Sequence, residues 1–345
     1  MTARDMTVLR SPTIRDVARH AGVSHMTVSR VINGDRAVRH KTRASVEASI
    51  EALRFSPNLA ARALSGARQA RVALLHRFPN PGSLGEFLIC LSQSASRAHA
   101  MLTFCEVTGH EKVAAVVDDL LARGVQGVIL APPLGDDEGL VTALRQAGMA
   151  IVATGSTHGA LGVRSIGIDD RRAAREMTAH LLALGHRRIG FVKGRPTHAS
   201  SGYRLLGYRD ALDEGGVAID ETLIVDGNYD YQSGMQAADR LLGLAAPPTA
   251  IFASNDNMAA GVMKAANLAG VAVPAGVSVV GFDDSDIAAM MIPALSTIRR
   301  PLAEMARSAT QRLLAMINRG DATITDERFE LHLIERDSAA RAPAD

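Results

Sequence analysis

The sequence predicts an α/β chain: a small all-helical head, then a two-lobed body of doubly wound parallel sheets. Three observations lead there. Up to about residue 66 the apolar residues recur at helical spacing in short segments. From Arg71 onward, runs of Val, Ile and Leu alternate with helical patterns, as in strands buried on both faces of a parallel sheet. These strands are too many for one small sheet, so two similar halves fit a chain of 345 residues.

Charge divides at the same place. Residues 1–71 carry 13 Lys and Arg against 5 Asp and Glu, while the remainder carries 25 against 31, for an overall +2. A basic head on an acidic body is a footprint of nucleic-acid binding by the head, although a solvated N-terminal extension has the same charge. Two cysteines, Cys90 and Cys105, exclude a disulfide framework and a four-thiolate zinc site. They fit a reduced, cytoplasmic setting. No apolar run reaches the ~18 residues of a membrane span. The first residues lack the apolar segment of a signal peptide.

The elements follow in order. Residues 1–11 read as a disordered lead-in. Ile14, Val17, Ala18 and Ala21 mark a first helix, and Gly22 suits the left-handed turn that ends it. Ser24 is an N-cap for a second helix whose apolar side is Val28, Val31 and Ile32. Asn33-Gly34-Asp35 breaks it, and a third helix carries Val46, Ile50 and Leu53 on one face. Pro57 opens a short Ala-rich stretch that Ser65-Gly66 ends. In the body, the strand candidates start at Val72, Leu102, Gly127, Ile151, Arg188, Leu223, Ala250 and Val277, with a last strand-like segment from Arg328 to Ile334. Arg171–Leu184 and Asn257–Ala269 are among the helices between them. Ligands of such sheets bind outside the carboxyl ends of the strands.

The first two helices, joined at Gly22, read as a helix-turn-helix. The outward face of the second is His25, Met26, Thr27, Ser29, Arg30 and Asn33. Short polar groups and one arginine suit base edges and phosphates in a major groove, although an ordinary helical hairpin also presents a polar surface. The residues TIRDVARHAGVSHMTVSRVIN and VRHKTRASVEASIEALRFSPNLAARALSG resemble the head of the LacI/GalR repressors. Downstream, LALGHRRIGFVKG, RLLGYRDAL, IFASNDNMAAGVM, VSVVGFDDSDIA and IPALSTIRRP resemble that family's two-lobed, periplasmic-binding-protein-like body.

The resemblance implies roles. His25 and Met26 would be the main determinants of operator sequence, Arg30 would reach a base edge, and Thr27 and Ser29 would hold phosphates or neighbouring bases. Residues 57–66, with Asn58 and Leu64, would form a hinge helix, Leu64 wedging into the minor groove. Residues 12–56 would be the DNA-binding domain and 71–337 the effector-binding and dimerisation domain. In the body, Arg204, Asn255, Asp283 and Tyr229 match the family's ligand contacts, with Ser200 a weaker candidate. A charged fork, an amide, an acid and an aromatic face are the chemistry of sugar recognition.

Departures leave the ligand open. Thr154-Gly155-Ser156 stands where the family often has a charged ligand residue, and Arg299-Arg300 ends the usual Thr-Thr-Ile-x-Gln pattern. An arginine there favours an acidic sugar if it faces the cleft. No nucleotide, phosphate-loop or nucleophile-elbow motif is present, and the start His110-Glu111 fails as a metalloprotease motif at Ala114. Asp169-Asp170 and Asp283-Asp284 read either as acid–base pairs or as strand-end caps, and His186 as a helix-end residue. The expectation is a non-enzymatic cytoplasmic regulator without metal or cofactor. It would be a homodimer on double-stranded operator DNA, controlled by a sugar-like effector and not bound to membrane. Alternatives are a nucleobase, nucleoside or sugar-acid effector, or a solute-binding protein without DNA function. The last residues, ERDSAARAPAD, lack a heptad, so a dimer is expected over a tetramer.

Overall fold

A computed structural model describes residues 12–32, 38–53, 69–77, 82–109, 112–155, 162–319 and 325–343. It divides into two units, Met1–Gln69 and Ala70–Asp345.

The first unit holds α1 (Ile14–Ala21), α2 (His25–Ile32) and α3 (His40–Ala52). A capping box starts α1: the Thr13 hydroxyl accepts from the Asp16 backbone N–H, and the Asp16 carboxylate accepts from Thr13 N–H at 2.9 Å. Gly22 ends it at φ 67°, a conformation that costs a side chain but not glycine, and its N–H donates to Ala18 O. The Ser24 hydroxyl caps α2, accepting from Thr27 N–H at 3.1 Å. Val17, Ala18, Val28, Val31 and Val46 form the small core. His20 pins α1 to α3 through Ser49, 3.0 Å away.

The second unit runs β1 (Arg71–His76), α4 (Gly82–Arg97), β2 (Met101–Glu106), α5 (Val113–Ala122), β3 (Gly127–Leu130), α6 (Glu138–Gln146), β4 (Ala150–Thr154) and β5 (Arg164–Ile168). It continues with α7 (Asp170–Ala183), β6 (Ile189–Val192), α8 (Ala199–Glu214), β7 (Ile224–Val225), α9 (Tyr231–Leu242), β8 (Ala250–Ala253), α10 (Asp256–Leu268) and β9 (Ser278–Val280). Last come α11 (Asp286–Met290), β10 (Thr297–Arg299), α12 (Leu302–Arg319), β11 (Glu327–Phe329) and β12 (His332–Ile334).

Two parallel sheets result. The first has the order β11-β5-β4-β3-β1-β2, the second β7-β6-β8-β9. The halves are therefore less alike than expected, with six strands against four. The chain crosses between lobes after β5, after β10 and after β11, and β10 pairs antiparallel with β12 beside the second sheet. Each sheet reverses its strand order once, at β1/β3 and at β6/β8, and such a reversal opens a crevice at the carboxyl ends. The segment after β12 straps the outer edge of β9. Val279 N–H donates to Ser338 O at 2.8 Å, and the Ser338 hydroxyl donates to Val279 O at 2.6 Å.

Candidate DNA-reading face and effector cleft

On α2, His25, Met26 and Arg30 are exposed, and Thr27 and Ser29 are half-buried beside the buried Val28. Met26 keeps 61% of its surface, high for an apolar residue with a core beside it. The Thr27 hydroxyl lies 2.9 Å from the capping Ser24 hydroxyl, so it serves the start of α2 as well as the outer face. Asn33, Asn58 and Leu64, with the hinge at 57–66, lie outside the described residues.

In the body, the expected effector residues meet at the carboxyl ends of the second sheet. Arg204, on α8, is buried. Its Nε donates to Asp170 Oδ1 at 2.8 Å and its Nη1 to the carbonyl of Ser254, at the end of β8. Its guanidinium lies 3.5 Å from the centroid of the Phe282 ring and 5.9 Å from that of Tyr229. Burial opposes its charge, but Asp170, Tyr229 and Asp283 more than offset this and raise its pKa. The charged fork is thus partly spent on the protein itself, through Nε and Nη1.

Tyr229 follows β7, with its hydroxyl 3.1 Å from that of Ser200 and its ring edge-on to His198. The ring lies so close over Gly194 that a Cβ there would come within 2.0 Å of it. Asn255 caps α10: its Oδ1 accepts from Met258 N–H at 2.9 Å, and its Nδ2 donates to Tyr229 O at 3.0 Å. Asp283 follows β9, and its Oδ1 accepts from Arg300 Nη1 at 3.2 Å. Among the described residues four that are not glycine have positive φ, and three of them are Tyr229, Asp283 and Asp284. Strained backbone gathered at one place is a mark of a functional site.

Buried titratable groups surround these residues. Asp256 accepts from Thr297 Oγ1 at 2.6 Å and from Ser285 N and Oγ, while burial, then Asp283, pushes its pKa up to about 7. His198 is held down to about 4 by burial, then by Arg195 and Arg204. Planar donors and acceptors, one carboxylate and one ring face can hold a hydroxylated ring.

The comparisons follow this division. Residues 13–58 match the model for bacterial regulatory proteins of the lacI family, and 178–339 that for a periplasmic binding protein-like domain. The HTH-type transcriptional regulator CelR of Thermobifida fusca is 34% identical over 339 residues, spanning 95% of this chain and 98% of its own. The chain belongs to the LacI family. A solved complex of the transcriptional regulator CelR with cellobiose shares its fold, with TM-score 0.72, 30% identity and coverage of 95% of this chain and 100% of that one. The lac repressor dimer bound to operator and the anti-inducer ONPF does so with TM-score 0.73, 28% identity and coverage of 96% and 100%.

This LacI-family protein is a DNA-binding transcription regulator and not an enzyme. Among its described residues no helix is long and apolar enough to cross a membrane, and no group of three His, Cys, Asp or Glu is placed to hold a metal. The acidic pairs separate into different jobs. Asp169 is a cap, accepting from Arg172 N–H at 3.0 Å, whereas Asp170 is the partner of Arg204. Asp284 clamps Arg299 and Arg336, each at 2.6 Å. His186 is no helix-end charge: it is buried between Thr249 Oγ1 at 2.9 Å and Ala340 O at 3.0 Å, where it ties down the C-terminal strap. Arg300, left open between solvent and cleft, is mostly buried against Asp283. Thr154 bonds to Leu130 O and does not replace the charged residue of the family pattern.

Proposed function

We propose that this regulator represses a carbohydrate-utilisation operon as a cytoplasmic homodimer and that a sugar or sugar derivative bound between the lobes controls it. His25, Met26, Thr27, Ser29 and Arg30 read the operator, with Asn33, Asn58 and Leu64 adding contacts from outside the described residues. Ser200, Arg204, Tyr229, Asn255 and Asp283 hold the effector. Residues 12–56 serve as the reading head, 57–66 as the hinge and 71–337 as the sensing body.

The observation that carries the effector reading is the convergence just described. Arg204, Tyr229, Asn255 and Asp283, drawn from four separate segments, gather at the carboxyl ends of one sheet next to its β6/β8 reversal. A ligand that touches both lobes favours one arrangement of them, and only such differential affinity shifts an equilibrium. The coupling expected is about 1–3 kcal/mol, or ~5–150-fold in operator affinity.

The test is titration of operator DNA, selected from a random pool, with and without a panel of sugars and sugar acids. A member of the panel changes operator affinity of the wild type, and Asp283→Ala loses that response. Equal operator affinity in the presence of a bound sugar refutes the coupling. A wild-type response in Asp283→Ala refutes the site.

A further inference from the structure

Arg300 is the arginine of this cluster with a buried donor, Nε, that has no hydrogen-bond partner among the described residues. Arg299 and Arg336 are both held by Asp284, and Arg204 by Asp170 and Ser254. Arg300 follows β10 at a lobe crossing. Its backbone N–H donates to Asp283 O at 3.2 Å, which fixes the start of its side chain. The side chain is 19% exposed and makes one ion pair, from Nη1 to Asp283 Oδ1 at 3.2 Å.

The identity of that nitrogen matters. Nη1 lies on the Cδ side of the guanidinium plane. The pair with Asp283 therefore uses neither member of the opposite edge, formed by Nε–H and Nη2. Nε is buried and has no hydrogen-bond partner among the described residues. A buried donor left without an acceptor is destabilising. Two parallel N–H groups on one guanidinium edge match the two oxygens of a carboxylate. Asp283, the acid beside it, belongs to the effector site, so a group on this edge would lie next to the same ligand.

Across the lobe junction, Glu86 of α4 senses the same cluster. Partial burial raises its pKa, Asp286, Asp283 and Asp284 add to the rise, and Arg300 opposes it. Glu86 is exposed and makes no hydrogen bond or ion pair among the described residues. It is the protein's own rival for the unpaired edge, and the test includes it.

We propose that Arg300 is a specificity-determining residue of the effector site and that its Nε–H/Nη2 edge receives the carboxylate of an acidic sugar, a uronic or aldonic acid. This rests on the effector reading given above and narrows it. The hydroxylated part of the ligand lies toward Tyr229, Asn255 and Arg204, and its acid group toward Arg300. A neutral sugar of the same shape leaves the buried Nε–H unanswered, so the site discriminates against it.

The experiment is calorimetric titration of the full chain with matched pairs: galacturonate and galactose, glucuronate and glucose, gluconate and sorbitol, with glucose 6-phosphate as the phosphate arm. At least one acid binds the wild type, and binds it about 10- to 100-fold more tightly than its neutral partner, the span of a charge-assisted bidentate pair. Arg300→Gln removes that preference. Arg300→Lys, which keeps the charge without the fork, retains only part of it, and Glu86→Gln leaves it in place. Ligand-free melting curves of the variants exclude a folding defect. The assignment fails if neutral and acidic partners bind equally, if Arg300→Gln keeps the preference, if only the phosphate binds, or if no acid binds. It also fails if Glu86→Gln abolishes the preference, because the edge then serves Glu86. A neutral sugar that alters operator affinity while every acid is inert overturns this assignment and leaves the regulator reading standing. An acid that binds through Arg300 without altering operator affinity does the reverse.

Discussion

The head and the effector cleft solve recognition in opposite ways. On α2 the candidate reading residues sit within one short helix, and His25, Met26 and Arg30 face outward while Val28 and Val31 hold the helix from behind. In the cleft the candidates come from α8 and from the segments after three separate strands, and they are bonded to one another and to the fold. Arg204 holds Asp170 and Ser254, Ser200 meets Tyr229, Asn255 bonds the Tyr229 backbone, and Asp283 takes Arg300. The difference has a physical consequence. A surface residue can change what is read at little cost to the fold. A residue in a buried polar network changes the reading and the stability together.

The largest expected effect lies in the network. Asp170 and Arg204 are both almost completely buried, with side-chain exposures of 2% and 5%. Removing one partner of such a pair strands the other charge, which costs about 3–5 kcal/mol. Asp170→Ala therefore lowers the stability of the body by that amount in denaturant unfolding, and effector binding fails with it. A loss below about 1 kcal/mol would show that Arg204 finds another partner, and the contrast between the two regions would shrink.

Arg30→Ala probes the other side. Loss of a bidentate arginine–guanine contact removes about 1–3 kcal/mol of discrimination between operator and unrelated DNA. Because Arg30 is exposed, stability changes by less than about 1 kcal/mol. Mobility-shift titrations on operator and on unrelated DNA, with a melting curve of the same variant, measure both. A large stability loss, or unchanged specificity, would break the comparison.

The same contrast decides what could be read from sequence. The helix-turn-helix was legible because its information is local: a 3.6-residue period, a glycine at the turn and a capping serine. The main strands and the helices between them were legible as apolar runs and helical spacing. β5 was missed because Arg164-Ser165-Ile166-Gly167-Ile168 offers two polar residues and a glycine in five. β10, at three residues, is too short to show a period. Arg204, Tyr229, Asn255 and Asp283 were found through their motifs, but their bonding was not. Asp170 reads as a cap beside Asp169 because its partner lies 34 residues away on another helix. The Phe282 face beneath Arg204 and the strap held by His186, 154 residues from Ala340, depend on packing that no local pattern records.

His198 sharpens the comparison through pH. It is buried edge-on to Tyr229, and its pKa is held down to about 4, first by burial and then by Arg195 and Arg204. The unfolded chain takes up a proton at an ordinary histidine pKa of about 6.5, while the folded chain resists until about 4. The sign follows from linkage. The stabilisation is complete above about 6.5 and drains away as pH falls through the window toward 4. At pH 5 that amounts to about 2 kcal/mol relative to pH 7.5. Asp256 acts oppositely: its raised pKa makes a contribution that is lost as pH rises toward about 7, so the net slope of the wild type is a difference. Comparison with His198→Gln isolates the histidine, because the variant keeps Asp256 and removes only the imidazole. Between pH 7.5 and pH 5 the wild type loses about 2 kcal/mol more than the variant in urea unfolding. Equal slopes would mean that solvent reaches the imidazole, and the side of the cleft next to Tyr229 would then behave as an exposed surface like that of α2.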